Sequence, residues 1–295
     1  MPTRKETPTP LGPIFPYFGG KGRMLNRLRP IYPRAYNRYL EPFLGGGAVL
    51  FDLAPARAIV GDKNEELVQC YQALQKGAQG VVSAYQAVLD DYAGVERNYY
   101  AIRDRDRDPA FRKSDPRARA ARFLFLCYAG FNGRYHVNRK GCCTTTWGGR
   151  PRIANQSTLP ARLLAVGEYL ATHDVQIHFD DGWSLLSKAK EGDFVFLDPP
   201  YLPISKTAKF TEYTPGGFGF ADQARLLGAM EAATGRGVMW AYTNADRPWL
   251  WESFGGKAAY HLERVQMLRS VAGDAKARGS VQEILITNYN QNQGA

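Results

Sequence analysis

"FVFLDPPYLP", residues 194–203, decides the fold. Phe194 to Leu197 is a short, unbroken apolar run, the composition of a strand covered on both faces rather than of a half-exposed strand, which would alternate. An acid, two prolines and a tyrosine then end it. Asp198 is therefore expected at the carboxyl end of a central strand, the edge at which open parallel sheets hold their ligands.

The segments around it repeat the pattern. "RYLEPFLGGGAVLFDLA" (38–54) reads as a short strand, a turn at Gly45 to Gly47 and a helix; "RAIVGDKNEELVQCYQAL" (57–74) gives a strand over Ala58 to Val60, Asp62 beyond its end and a helix from Asn64. From there to about Asn155 buried strands are missing. Residues 78–92, 95–107 and 115–130 read as helices, the last with Asp115 as N-cap and Pro116 in the first turn. "GRYHVNRKGCCTTTWGG" (133–149) reads as a hairpin around Lys140-Gly141. Alternation resumes after Pro160, with strands at 175–179, 194–197 and 237–243 between helices, and two final strands at 259–268 and 281–289. The fold class is α/β, a doubly wound, mainly parallel sheet with an inserted helical and β-hairpin lobe. The domains are a flexible N-terminal arm (1–13), a catalytic domain (14–75 and 156–295) and an inserted lobe (76–155).

With 295 residues and 44% hydrophobic content the chain can bury a large core, and no span or secretory signal appears, so it reads as soluble and intracellular. Cys70, Cys127, Cys142 and Cys143 lack metal-ligand spacing and are expected as reduced thiols. The net charge of +10 is local: residues 97–152 carry 14 Lys and Arg against four acids, and the rest of the chain is balanced. Such a surplus, without an apolar face to enter lipid, suits a phosphate backbone, although a solvated helical face is the plainer alternative.

The motifs add chemistry. Gly45 to Gly47 permit close backbone approach by a nucleotide-like ligand, or simply a tight turn. No phosphate-cradling G-x-x-x-x-G-K-[ST] is present, and Leu50 breaks the dinucleotide fingerprint. Asp62 stands where a carboxylate can accept from two ribose hydroxyls, or else cap the following helix; with the glycines it favours an adenosine-containing cofactor. Asp198-Pro199-Pro200-Tyr201 offers only acceptors and a flat ring, because prolines have no N–H and an ionised Asp only accepts. A planar group with an exocyclic amine, as on a nucleobase, fits it: two N–H groups would bond to Asp198 and the Pro199 carbonyl while the ring stacks on Tyr201.

With these residues the chain resembles the Dam-like (D12 class) DNA adenine N6-methyltransferases. "PYFGGKGRML" (16–25), "EPFLGGGAVLF" (41–51), "FNGRYHVNRKGCCTTTWG" (131–148) and "FLDPPYLPISKTAKFTEYTPGGF" (196–218) are similar, in order, to the family's opening motif, cofactor loop, recognition hairpin and catalytic stretch. The resemblance implies a class I S-adenosylmethionine methyltransferase fold and methyl transfer to adenine N6 of double-stranded DNA with the base flipped out. Catalysis would fall to Asp198, Pro199, Pro200 and Tyr201. S-adenosylmethionine would be met by Tyr17, Lys21, Phe43, Gly45, Gly47, Asp62, Asp181 and Asp198, with Asp180 as the alternative to Asp181. DNA would be met by Arg134, His136, Asn138, Arg139 and Lys140. No metal and no membrane are implied, and the expected setting is the cytoplasm of a bacterial cell, with the chain host- or phage-encoded, acting in restriction-modification or maintenance as a monomer or weak dimer. An N4-cytosine enzyme and a non-catalytic nucleic-acid binder are the alternatives. His136 departs from the pattern, since GATC-reading relatives tend to carry Arg there, the side chain best suited to grip guanine with two bonds, and His cannot make that paired contact.

Overall fold

A computed structural model describes residues 11–16, 19–149, 157–202, 218–268 and 280–290. Most of the N-terminal arm, Tyr17, Arg150, Arg152 and residues 203–217 lie outside the described residues. The strands are β1 (Tyr39–Glu41), β2 (Arg57–Asp62), β3 (Asp174–Phe179), β4 (Phe194–Leu197), β5 (Met239–Ala245), β6 (His261–Leu268) and β7 (Ser280–Thr287). The helices are α1 (Leu25–Leu28), α2 (Ala48–Leu53), α3 (Glu65–Tyr92), α4 (Glu96–Arg103), α5 (Pro109–Arg112), α6 (Pro116–Ala129), α7 (Leu159–Thr172), α8 (Trp183–Ser187), α9 (Phe220–Gly235) and α10 (Pro248–Phe254).

The seven strands form one sheet in the order β3-β2-β1-β4-β5-β7-β6, with every pairing parallel except those of β7. β4 is central and buried on both faces, as its composition demands. Phe194 and Phe196 enter one core cluster while Val195 and Leu197 enter the other, because successive strand residues point to opposite sides. Full burial of each such side chain stabilises the fold by roughly 1.5–3 kcal/mol.

The first of these clusters continues without a break from the sheet into the helical lobe, through Val81, Tyr85, Tyr99 and the apolar run Phe123 to Leu126. The lobe is thus packed onto the sheet through a shared core. α3 bridges the two parts: it starts at the end of β2, with Asn64 accepting from Leu67 N–H as N-cap, is interrupted at Gly77 and runs on to Tyr92. The helix at 78–92 read from the sequence is thus the second half of α3. Asp115 caps α6 as expected, accepting from Arg117 N–H at 2.9 Å with Pro116 in the first turn.

The hairpin is present but irregular, fixed by single bridges at Val137–Cys143 and Gly130–Trp147 rather than by a continuous ladder. Its tip is a turn in which Gly141, at φ 73°, donates to the Asn138 carbonyl. All four cysteines are free and buried. No helix among the described residues is long and apolar enough to cross a membrane, and no group of three His, Cys, Asp or Glu there could hold a metal ion.

Candidate active site

The carboxyl edge of the sheet gathers the acids that the sequence placed at strand ends. Asp198 follows β4, and the register that sets Leu197 opposite Tyr242 brings Asp198 beside Thr243 of β5. Thr243 Oγ1 donates to Asp198 Oδ1 at 3.0 Å. Lys21, in the short turn Lys21–Arg23, points its ammonium at the same oxygen from 2.8 Å and is only 5% exposed. Both donors meet Oδ1, and among the described residues none donates to Oδ2. The carboxylate is therefore anchored by one oxygen and offers the other.

Lys21 also donates to the Tyr201 hydroxyl at 3.0 Å and to the Gly19 carbonyl at 3.2 Å, and lies 5.2 Å from the centre of the Tyr201 ring. The ring is thereby held in one orientation beside Asp198. Pro199 is buried and Pro200 exposed. Burial pushes the Asp198 carboxyl above its ordinary pKa, and the Lys21 ammonium pulls it back down. Burial, with Asp198 and Glu283 adding to it, raises the Tyr201 hydroxyl, which stays protonated.

On the other side of β1 lies the glycine turn. Gly45 and Gly47 adopt φ of 48° and 67°, a left-handed backbone that favours glycine. A Cβ on Gly47 would also stand 2.6 Å from the Phe51 ring. Asp62, at the end of β2, accepts from Gly45 N–H at 2.9 Å through Oδ2 and from Asn64 N–H at 2.8 Å through Oδ1. It thus ties the turn to the start of α3, whose cap is Asn64 and not Asp62. Its carboxyl is raised by burial and lowered by these N–H groups.

Just beyond β3, Asp181 accepts from Ser184 N–H in the first turn of α8 at 3.1 Å. Asp180 accepts from the Ser184 hydroxyl at 3.0 Å and lies 3.6 Å from Lys188. Gly182 lets the Phe43 ring lie flat against the backbone, since a Cβ there would fall 2.3 Å from Cζ of that ring. Phe43 then meets Phe218 edge-on, and Trp183 packs against Phe218. These rings form an aromatic wall against the Gly182 backbone, half-buried at Phe43 and Trp183 and buried at Phe218.

The expected DNA contacts form a second group. Asn138, Arg139 and Lys140 are exposed at the hairpin tip, whereas Arg134 and His136 are half-buried along its first arm. Asn138 Oδ1 accepts from Lys140 N–H at 2.9 Å and Cys142 N–H at 3.1 Å, so this residue builds the tip. His136 is held through its backbone, donating to Thr145 Oγ1 at 2.9 Å and accepting from Thr144 N–H at 2.8 Å.

Four residues of consequence escaped the sequence reading. Thr243 and Glu283 sit in strands that signal only burial. Glu41, fully buried at the end of β1, accepts from the Tyr39 hydroxyl at 2.9 Å and from Leu50 N–H of α2 at 3.1 Å. An acid inside the apolar run "YLEPFL" was the available signal. Arg122, counted in the basic surplus, is fully buried and belongs to no surface. It pairs with Asp106 at 2.6 Å and Glu66 at 3.0 Å, and Asp106 in turn accepts from Cys143 N–H of the hairpin.

Residues 17–267 match the family model described as D12 class N6 adenine-specific DNA methyltransferase. Among curated proteins, the type II methyltransferase M1.LlaDCHI of Lactococcus lactis subsp. cremoris is 32% identical, covering 95% of this chain and 96% of the relative. The DNA N-6-adenine-methyltransferase of Escherichia phage P1 is 31% identical, covering 92% of this chain and 35% of its own. The DNA adenine methylase of Escherichia coli (strain K12) is 27% identical, covering 90% and 91% respectively.

Proposed function

The chain belongs to the D12 class of N6 adenine-specific DNA methyltransferases, and from that premise we propose how its residues divide the work. The observation that carries the reading is the two-sided use of Asp198, with Oδ1 held by Lys21 and Thr243 and Oδ2 left to a donor from outside.

The cofactor is S-adenosylmethionine, which when bound supplies a methyl group on a positively charged sulfur. The residues suit it. Asp62 and the Gly45–Gly47 turn line one side of the site, Asp181 and the wall of Phe43 and Trp183 the other, and Lys21 and Asp198 close the end where the methyl group would stand. Tyr17 belongs to the same set by resemblance.

The substrate is an adenine swung out of duplex DNA. Its amino group donates one hydrogen to Asp198 Oδ2 and the other to the Pro199 carbonyl, while Tyr201 carries the ring. These bonds pull the nitrogen lone pair out of conjugation and aim it at the methyl carbon. With S-adenosylmethionine held there, the methyl group would pass to this nitrogen and the C–S electron pair would stay on sulfur. The amino nitrogen then gives one proton to Asp198 Oδ2.

Residues 76–155 act as the recognition lobe, with Arg139 and Lys140 on phosphates and Arg134 and His136 toward bases. His136 cannot supply the two-bond grip on guanine that an Arg there would give. The protein works inside a bacterial cell, as a monomer or weak dimer. Incubating duplex DNA with labelled S-adenosylmethionine and analysing the nucleosides tests this: label in N6-methyladenine supports it, and label only in N4-methylcytosine or RNA contradicts it.

A further inference from the structure

Glu283 is the one carboxylate of the site contributed by the antiparallel part of the sheet. Because β7 runs against β5, the start of β7 lies at the carboxyl edge of the parallel strands, with Glu283 opposite Ala245. Its Oε2 is buried with no hydrogen-bond donor and stands 3.7 Å from Lys21 Nζ. Its charge is also felt by the Tyr201 hydroxyl, which it helps to raise. Lys21 is thus flanked by two carboxylates, Asp198 at 2.8 Å and Glu283 at 3.7 Å. Sequence reading left Glu283 inside "VQEILITNY" as an ordinary strand residue.

A single ammonium cannot compensate two buried carboxylates fully. An Asp198 with Lys21 wholly to itself would be a firmly ionised carboxylate and a poor proton acceptor. We infer that Glu283 is a positioning residue for methyl transfer: by drawing Lys21 toward β7, it keeps part of the ammonium's charge off Asp198, leaving Asp198 able to take the proton that the methylated amine gives up. The proposal rests on the reading of Asp198 given above. The balance is that of the transfer itself, one N–C bond made, one C–S bond and one N–H bond broken, with the proton on Asp198 Oδ2.

The charged and titratable groups facing Asp198 are Lys21 from the N-terminal turn, Glu41 from β1, Tyr201 from the β4 loop, Tyr242 from β5 and Glu283 from β7. Glu283 pushes Asp198 up while Lys21 holds it down, and removal of the Glu283 charge moves Asp198 toward lower values.

The test uses the full chain without ligand, labelled with ¹³C-carboxyl aspartate, with Asp198→Asn to assign the signal. In Glu283→Gln the Asp198 titration midpoint falls by roughly half a pH unit or more, and the acidic limb of single-turnover methyl transfer moves with it. An unchanged midpoint overturns the inference, whatever happens to the rate. Should Glu283→Gln fail to fold, Glu283→Asp, whose carboxylate is one methylene further from Lys21, carries the test: a smaller fall supports the inference and no shift overturns it. Failure of the wild type to methylate adenine overturns the reading of the reaction instead, and leaves the midpoint comparison standing as a measure of the Glu283–Asp198 coupling.

Discussion

Lys21 Nζ lies 2.8 Å from Asp198 Oδ1, although the first motif and the Asp198-Pro199-Pro200-Tyr201 motif are far apart in the chain. One buried ammonium therefore joins the N-terminal turn to β4 and, through Glu283, to β7. Removing one member of a buried ion group costs about 3–5 kcal/mol, because its partners stay buried without compensation. Lys21→Met is expected to destabilise the protein by about 3 kcal/mol in urea unfolding and to abolish methyl transfer. Combined with Asp198→Asn, the cost should be well below the sum of the two single changes, the mark of direct coupling.

Glu41 makes stability fall as pH rises. Burial pushes its carboxyl from the ordinary value of 4.5 up to about 8, partly offset by the Tyr39 hydroxyl. Between those two values the folded protein holds a proton that the unfolded chain has released. Stability from this group is thus complete below pH 4.5 and declines up to about pH 8. Glu41→Gln keeps the shape of the side chain without the charge. The stability gap between wild type and this variant should move in the variant's favour by on the order of a few kcal/mol between pH 5 and pH 8.5, read from urea midpoints; a pH-independent gap would contradict it.

The hairpin tip separates shape from charge. Asn138→Ala removes the acceptor that holds Lys140 and Cys142 N–H, and is expected to weaken DNA binding while leaving S-adenosylmethionine affinity unchanged in calorimetry. Neutralising Arg139 and Lys140 together should reduce the slope of log affinity against log salt by about 2, roughly one per lost phosphate contact. An unchanged slope would remove the hairpin from the DNA interface.

Arg122 ties the hairpin to α3 through Asp106 and Glu66. Arg122→Met leaves Asp106 with Arg107 as its one ion-pair partner among the described residues and takes the ion pair from the part-exposed Glu66, so a loss of about 3 kcal/mol is expected. At a temperature where the variant stays folded, its DNA affinity should fall more than its affinity for the cofactor, because Asp106 holds the Cys143 backbone. Equal losses would argue that the network only stabilises the fold.

Much of this was legible in the chain. Uniform apolar runs gave β4 and β2, glycine punctuation gave the turn at 45–47, and Asp62, Asp181 and Asp198 fell at strand ends because a carboxylate rarely interrupts a buried strand without a purpose at its end. Glu283 and Thr243 were not legible, since Glu283 depends on β7 entering the sheet between β5 and β6 and Thr243 on β5 lying beside β4, an order that local pattern does not encode. Arg122 was misleading for the opposite reason. A charge count cannot tell a surface cation from one paired in the core, and the basic surplus of the lobe includes both.

The most direct measurement is single-turnover methyl transfer by Asp198→Asn, with DNA affinity measured on the same preparation. Replacing the outward acceptor by an amide should slow transfer by about 10³-fold while DNA affinity stays near that of the wild type. Transfer within tenfold of the wild-type rate would contradict the role given to Asp198.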